Sequence, residues 1–452
     1  MLSVIDKPAT EKIPAINALQ KADTPVHGWY RFVLSYPPHL VRQYVEVFGV
    51  SRTDRLLDPF CGTGTTLVEA KKLGIPSLGC DAHPFAALAS RVKTNWSLSV
   101  LRLRRLLSEI VSLAERELAR QGLESMSSEA AFVQHRLEEQ ELLVGLTEEE
   151  QDLLPTGFVS ARPLRRLLSV RGAIEDHLTD DDPAVREFFL LALAYVIANG
   201  AGNFAFGPEI YRTKPKPDHD VLGHFARHAD LMIDELQSQQ RAGKARVPAE
   251  VLESDARELA GLPRGFSAVI TSPPYPNEKD YTRTTRVESI LLGLVTNRDS
   301  LRGVKENLLR SNTRNVFVDD RDSEEVREFS SIQKVCATIE ARRIELSKTS
   351  GFERLYHKVV AHYFGGMRRH FRALHPRLRA GAKLAYVVGD QLSFLMVPVP
   401  TAKLLGEVAE AEGFRIIGCD LWRERIGTKV RNCPNGQRTV RVREEILLLQ
   451  KF

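Results

Sequence analysis

Three short stretches hold residue types whose spacing could do chemistry. "TSPPY" (Thr271–Tyr275) stops the apolar run "FSAVI" with a hydroxyl, two prolines and an aromatic ring. Proline ends strand hydrogen bonding and fixes backbone direction, so Ser272 and Tyr275 are held where the strand ends. A Pro-Pro turn of purely structural use would account for the prolines alone. "DPFCGTGTT" (Asp58–Thr66) puts Gly62 and Gly64 at a strand-to-helix turn, and "GCDAHP" places Asp81 at the end of the next strand, 19 residues beyond Gly62.

Glycine lets a backbone approach a ligand and adopt positive φ, and the helix behind such a loop presents free N–H groups and partial positive charge. An acid at the end of the second strand is placed to accept hydrogen bonds from ribose hydroxyls. The third glycine of a dinucleotide fingerprint is Leu67 here, and Asp58 sets a negative charge beside the loop that repels phosphate but could hold an ammonium. A ligand with a ribose, an amino group and no phosphate fits better, and S-adenosylmethionine is the candidate cofactor.

Several classes are disfavoured. GxxxxGK[ST] does not occur, which argues against NTP hydrolysis. His224 and His228 stand four apart in "HFARH" without the glutamate of a metalloprotease helix, and read as ordinary helix-face residues. Cys61, Cys80, Cys336, Cys419 and Cys433 form no CxxC pair, so no metal site is expected and a reducing cytoplasm suits the chain. "MLSVIDKPATEKIP" lacks a signal-peptide profile, and "FFLLALAYVIA" has 11 residues, too short to cross a bilayer. A soluble cytoplasmic protein is expected. Apolar residues are 43% and charged residues 27%, with a net charge of +5 that permits a polyanionic partner without demanding one.

The elements that must position these stretches follow an α/β grammar. "DRLLDPF" reads as a buried strand, "LVEAKKLG" as a helix closed by glycine, and "IPSLGCD" as a second strand. This alternation begins a doubly wound, mostly parallel sheet of Rossmann type. Residues 99–249 turn helical in character and read as a helical insertion between a first part (25–98) and a second part (250–290) of one sheet domain. Residues 291–375 are again mainly helical, and 376–452 supply three late strands, "AGAKLAYVVGD", "GFRIIGCDLW" and "REEILLLQKF", with the amphipathic helix "VPTAKLLGEVAEAEG" between the first two.

With the glycine loop, Asp81 and "TSPPY" together, the chain resembles the amino-group DNA methyltransferases, and more narrowly the N4-cytosine type, whose signature is (T/S)SPPY. "DPFCGTGTT" is similar to that family's cofactor loop, "HGWYRFVLSYPPHLV" to the segment that closes over the cofactor's methionine end, "GCDAHP" to its acidic motif and "ESDAREL" to the motif near the adenine. "FGPEIYRTKPKPDHDV" and "YPNEKDYTRTTRVESILLGL" resemble segments of a bacterial subgroup of modification methylases. The resemblance implies a class I methyltransferase fold and cofactor contacts from Tyr36, Pro38, Asp58, Pro59, Phe60, Gly62, Gly64, Thr65, Asp81, Asp255 and Thr271. It implies a catalytic role for Ser272, Pro273, Pro274 and Tyr275. Double-stranded DNA is the implied partner, with a cognate restriction endonuclease accompanying it. The run between the acidic motif and "ESDAREL" is far longer than the minimal fold needs, so the target-recognition element stays unassigned, with 291–375 one candidate.

An exocyclic amino group is a weak nucleophile because its lone pair is delocalised into the ring. Two acceptors aimed at its N–H bonds, the Ser272 hydroxyl and the Pro273 carbonyl, could draw it toward tetrahedral geometry. The base must leave the duplex, and Tyr275 could stack on it. The Pro-Cys dipeptide of C5-cytosine methylases is absent. DNA contacts are expected from Arg283, Arg286, Arg310 and Arg314, with "RRHFRALHPRLR" from Arg368 and Arg423, Arg425, Lys429 and Arg431 as further candidates. The alternatives are adenine N6 as target, an RNA (tRNA) amino-group methylase, and a non-catalytic DNA-binding protein that keeps the fold.

Overall fold

The computed structural model describes residues 18–123, 145–178, 182–206, 209–277, 279–426 and 441–452. Strands β1 (Leu56–Asp58), β2 (Ser77–Asp81), β5 (Ala249–Glu253), β6 (Phe266–Thr271), β7 (Leu378–Gly389), β8 (Phe414–Ile426) and β9 (Arg441–Lys451) form one sheet in the order β5-β2-β1-β6-β7-β9-β8. The first five run parallel, and β9 lies antiparallel between β7 and β8. The chain leaves β1 toward β2 and β5, then returns to β6 on the other side of β1. Such a reversal of strand order opens a crevice at the carboxyl ends of the strands.

The core shows why the strand runs were legible. Successive strand residues point to opposite faces. Leu57, Leu78, Val269, Leu384 and Tyr386 enter one cluster with the helices Tyr356–Leu374 and Thr401–Ala411. Leu56, Ala268, Ile270, Ala385 and Val387 enter another with the helix Pro38–Phe48. Both faces are covered, so the sheet is doubly wound, as its grammar predicts.

The helical middle builds a core of its own. Helices Val100–Arg120, Ala161–His177, Pro183–Val196 and Val221–Arg241 pack together. They also bury Phe85, Leu88 and Val92 of the helix Pro84–Thr94, and Val287, Ile290 and Leu291 of the helix Arg286–Leu291. The segment Pro183–Ala201 is long and apolar enough to cross a membrane by length and composition, but two thirds of its apolar window (67%) is buried in this core. Reading residues 99–249 as all-helical misses the antiparallel hairpin of β3 (Phe204–Phe206) and β4 (Ile210–Arg212). Three-residue strands are too short for a period of two to show.

Candidate active site

A cleft of about 390 Å³ opens at the carboxyl ends of the central strands. Pockets of this order hold small ligands. Its lining brings together Tyr36, Pro59, Phe60, Gly62, Thr65, Asp81, Ser272, Pro273, Pro274 and Tyr275 from four separate stretches of chain. These are ten of the expected site residues; Pro38, Asp58, Gly64, Asp255 and Thr271 lie outside the lining.

The two loop glycines do different things. Gly64 (φ +88°) starts the helix Thr65–Leu73, and a Cβ there would stand 2.6 Å from the Ser90 hydroxyl on the neighbouring helix. Gly62 (φ +51°) faces the cleft, and a Cβ there would meet nothing within 4 Å, so the missing side chain leaves room for a ligand. Leu67, at the place of a third glycine, still packs closely on the sheet, because the glycine has moved to the strand: a Cβ on Gly79 would stand 2.8 Å from Leu67 Cδ1.

Asp81 is tied to the loop. Its Oδ2 accepts from Gly62 N–H at 2.9 Å and its Oδ1 from His83 N–H at 2.9 Å. Burial pushes this carboxyl up to about 6, against those two bonds and with help from the nearby Asp58 and Glu253 charges. Asp58 sits behind the loop, fully buried. Its Oδ1 accepts from Thr271 Oγ1 at 2.6 Å and from Phe60 N–H at 3.2 Å, and its Oδ2 from Tyr36 OH at 3.0 Å. It therefore clasps the loop, the end of β6 and the 31–36 segment that lines the cleft. Burial raises its pKa, and those hydrogen bonds oppose the rise.

The Asp255 carboxylate accepts four bonds from Arg257, at 2.7–3.1 Å, and it is Ala256 beside it that lines the cleft. Ser272 Oγ donates to the Val387 carbonyl of β7 at 3.2 Å. A hydroxyl has one proton, so this bond commits the donor and leaves lone pairs to accept. The Tyr275 backbone N–H donates to Tyr281 OH at 3.3 Å, while its ring packs against the core of the sheet.

Gly62 leaves room at the loop, Asp81 supplies a carboxylate that can accept from hydroxyls, and the residues 58–66 contain no lysine or arginine to meet a phosphate. This donor set fits S-adenosylmethionine. A family model described as DNA methylase matches residues 13–90. The type II methyltransferase M.BsoBI of Geobacillus stearothermophilus is 25% identical over 94% of this chain and 86% of its own length. Along most of its length the chain is similar to the amino-methyltransferases. Methyltransferases of this family and fold use S-adenosylmethionine. A tRNA (guanine(10)-N2)-dimethyltransferase of Methanothermobacter thermautotrophicus is 49% identical over 47 residues, 10% of this chain and 14% of its own. The crystal structure of TrmN from Thermus thermophilus aligns over 92% of this chain and 49% of its own at 10% identity and a TM-score of 0.23, too low to speak to fold or function.

The cleft also holds residues that sequence reasoning passed over. His83 is buried in its wall, with Thr285 Oγ1 3.2 Å from Nε2, and burial lowers its pKa to about 4, so it is neutral at neutral pH. "GCDAHP" contained it, but a lone histidine carries no local signal. Trp422, Arg423 and Glu444 come from β8 and β9, with Arg423 ion-paired to Glu444.

The basic candidates separate by exposure. Arg310 is 3% exposed, forks onto Asp320 at 2.6 and 2.8 Å, and donates to the carbonyls of Lys305, Glu306 and Leu308. The expectation of a DNA contact there is corrected: its charge is spent inside the fold. Arg286 is half-buried and bonded to Thr282. Arg283 and Arg314 reach the surface and pair with Glu209. Arg368, Arg369 and Arg372 face acids at Glu328, Glu258, Asp322, Glu325 and Glu412. His228 bonds to the Trp29 carbonyl at 2.9 Å. The Arg425 side chain and Lys429, Arg431 and Cys433 lie outside the described residues. Among the described residues no group of three or more His, Cys, Asp or Glu could hold a metal ion.

Proposed function

We propose that this methyltransferase acts on the exocyclic amino group of a base flipped from duplex DNA, with cytosine N4 its target. The observation that carries the reading is the Ser272 hydroxyl, whose proton is committed to Val387, standing beside Pro273 in the cleft that also holds Gly62 and Asp81. The family description and the type II relative favour DNA. Serine at 272, where resemblance associates aspartate or asparagine with adenine, favours cytosine. A type II setting also implies a cognate endonuclease.

S-adenosylmethionine, when bound, supplies an electrophilic methyl group on a sulfonium. The residues of this chain then have three tasks. Asp81 and the glycine loop hold and orient the donor. The Ser272 oxygen and the Pro273 carbonyl accept from the two amino N–H bonds and turn the nitrogen lone pair out of conjugation. Tyr275 offers a face for the flipped base, offsetting with about 1–3 kcal/mol of stacking a flipping cost of a few kcal/mol. We assign sequence reading to residues 291–375, which border the cleft at Asn307–Leu309.

The test is incubation with DNA and labelled cofactor, then digestion to nucleosides. N4-methylcytosine is expected. N6-methyladenine would move the base but keep the mechanism. Cofactor binding without any methylated base, or label on tRNA alone, would overturn the reading.

A further inference from the structure

Arg283 and Arg314 come from different segments yet converge on one carboxylate from a third. Arg283 Nη1 lies 2.6 Å from Glu209 Oε2, and Arg314 Nη1 lies 3.4 Å from Glu209 Oε1. Each oxygen has its own arginine, as the two non-bridging oxygens of a phosphodiester would. All three side chains remain about 40% exposed (41%, 37% and 39%).

The pair is fixed to the mouth of the cleft. The Lys279 carbonyl accepts from Ser311 Oγ at 3.2 Å and from Asn312 Nδ2 at 3.0 Å, and Asn312 Oδ1 accepts from Arg314 N–H at 2.9 Å. Lys279 and Tyr281 both line the cleft, and Arg283 follows two residues after Tyr281. Behind Arg314 stands the ring of Phe352, 5.7 Å from the guanidinium carbon and itself 55% exposed, which holds the guanidinium plane in place. Glu209, by contrast, enters from the β3–β4 hairpin of the helical middle.

We propose that Glu209 is a placeholder. Arg283 and Arg314 form a two-armed clamp for one backbone phosphate beside the flipped base, and entry of duplex DNA displaces the carboxylate. An exposed ion pair is weak and screened by salt, whereas a phosphate exchanged for the carboxylate also releases counterions from the duplex. This inference rests on DNA being the substrate.

The test measures binding of a labelled random-sequence duplex by fluorescence anisotropy over a salt series. Glu209→Gln is expected to tighten binding about threefold at low salt. Asp230→Asn, which removes the same charge from a comparable ion pair with Arg104, is expected to leave it unchanged. Arg283→Gln and Arg314→Gln should each lower the slope of log affinity against log salt by about 0.9. The clamp is overturned if E209Q and D230N behave alike, or if either arginine variant keeps the wild-type slope. Binding of labelled tRNA with these dependences, and of duplex without them, overturns it as a DNA site. Wild-type protein that methylates DNA while all four variants bind alike would sink the clamp and leave the proposed function standing. Absence of any methylated base would sink the function, whatever the salt slopes.

Discussion

Ser272→Ala removes one acceptor and little else. The lost bond to the Val387 carbonyl is 3.2 Å long and only half-buried, so its contribution to stability is at the low end, about 0.5–1 kcal/mol. Val387 remains held in the ladder opposite Ile446 of β9. The catalytic effect should be larger. A positioned polar partner that acts mainly at the transition state is worth about 10²-fold in kcat, or about 2.7 kcal/mol. The cofactor-side contacts of Asp81, Gly62 and Asp58 are untouched, so cofactor affinity should hold. Single-turnover methylation at saturating DNA and cofactor, with a thermal melt and a cofactor titration on the same preparation, separates the three quantities. Ser272→Thr keeps a hydroxyl at the same carbon and should recover part of the rate. If Ser272→Ala keeps nearly wild-type turnover, or loses turnover only in step with stability, then Ser272 is a strand-end tether and not an acceptor for the amino group.

Three further outcomes are expected. Asp81 titrates at about 6 in the folded protein, and hydroxyl donors favour its ionised form, so cofactor affinity by calorimetry should strengthen as pH rises through 6, and Asp81→Asn should weaken binding and flatten that dependence. Glu288 is fully buried against Tyr30 OH at 2.7 Å, and burial pushes its pKa from 4.5 to about 7. The folded state therefore keeps a proton that the unfolded chain releases, and its contribution to stability falls as pH rises from about 4.5 to about 7. Glu288→Gln removes that fall, so the variant's Tm relative to wild type should climb through this window and level off above it. Arg310→Ala leaves Asp320, whose side chain is 9% exposed, without its fork and should cost about 3 kcal/mol in urea unfolding, whereas Arg314→Ala should cost less than about 0.5 kcal/mol.

How much could be read in advance follows from how far apart the interacting residues are in the chain. The strand–loop–helix around Gly62 and Gly64 is local, because positive φ and the start of a helix are decided by neighbouring residues. The place of Asp81 follows from one helix and one strand of ordinary length. The division of successive β1, β6 and β7 residues between the two faces of the sheet follows from strand geometry, and the prolines after β6 mark its end. The Asp58 clasp was out of reach: its bond to Thr271 joins residues 213 apart, and nothing near "DPF" indicates which donors will arrive. The bond that turns Ser272 into an acceptor spans 115 residues for the same reason.

The arginines show the division most plainly. Residue type establishes that Arg283, Arg286, Arg310 and Arg314 carry charge beside the catalytic motif, and nothing in a sequence distinguishes one from another. Burial and partner choice do: Arg310 is enclosed with Asp320, Arg286 is folded back on Thr282, and Arg283 and Arg314 meet at Glu209. By itself the sequence determined a doubly wound sheet, a nucleoside-type loop and a rigid strand end, since each depends on backbone preferences within a few residues. Only the tertiary structure decided which charges face solvent and which acceptors are left open, because desolvation and hydrogen-bond pairing depend on whatever the rest of the chain brings alongside.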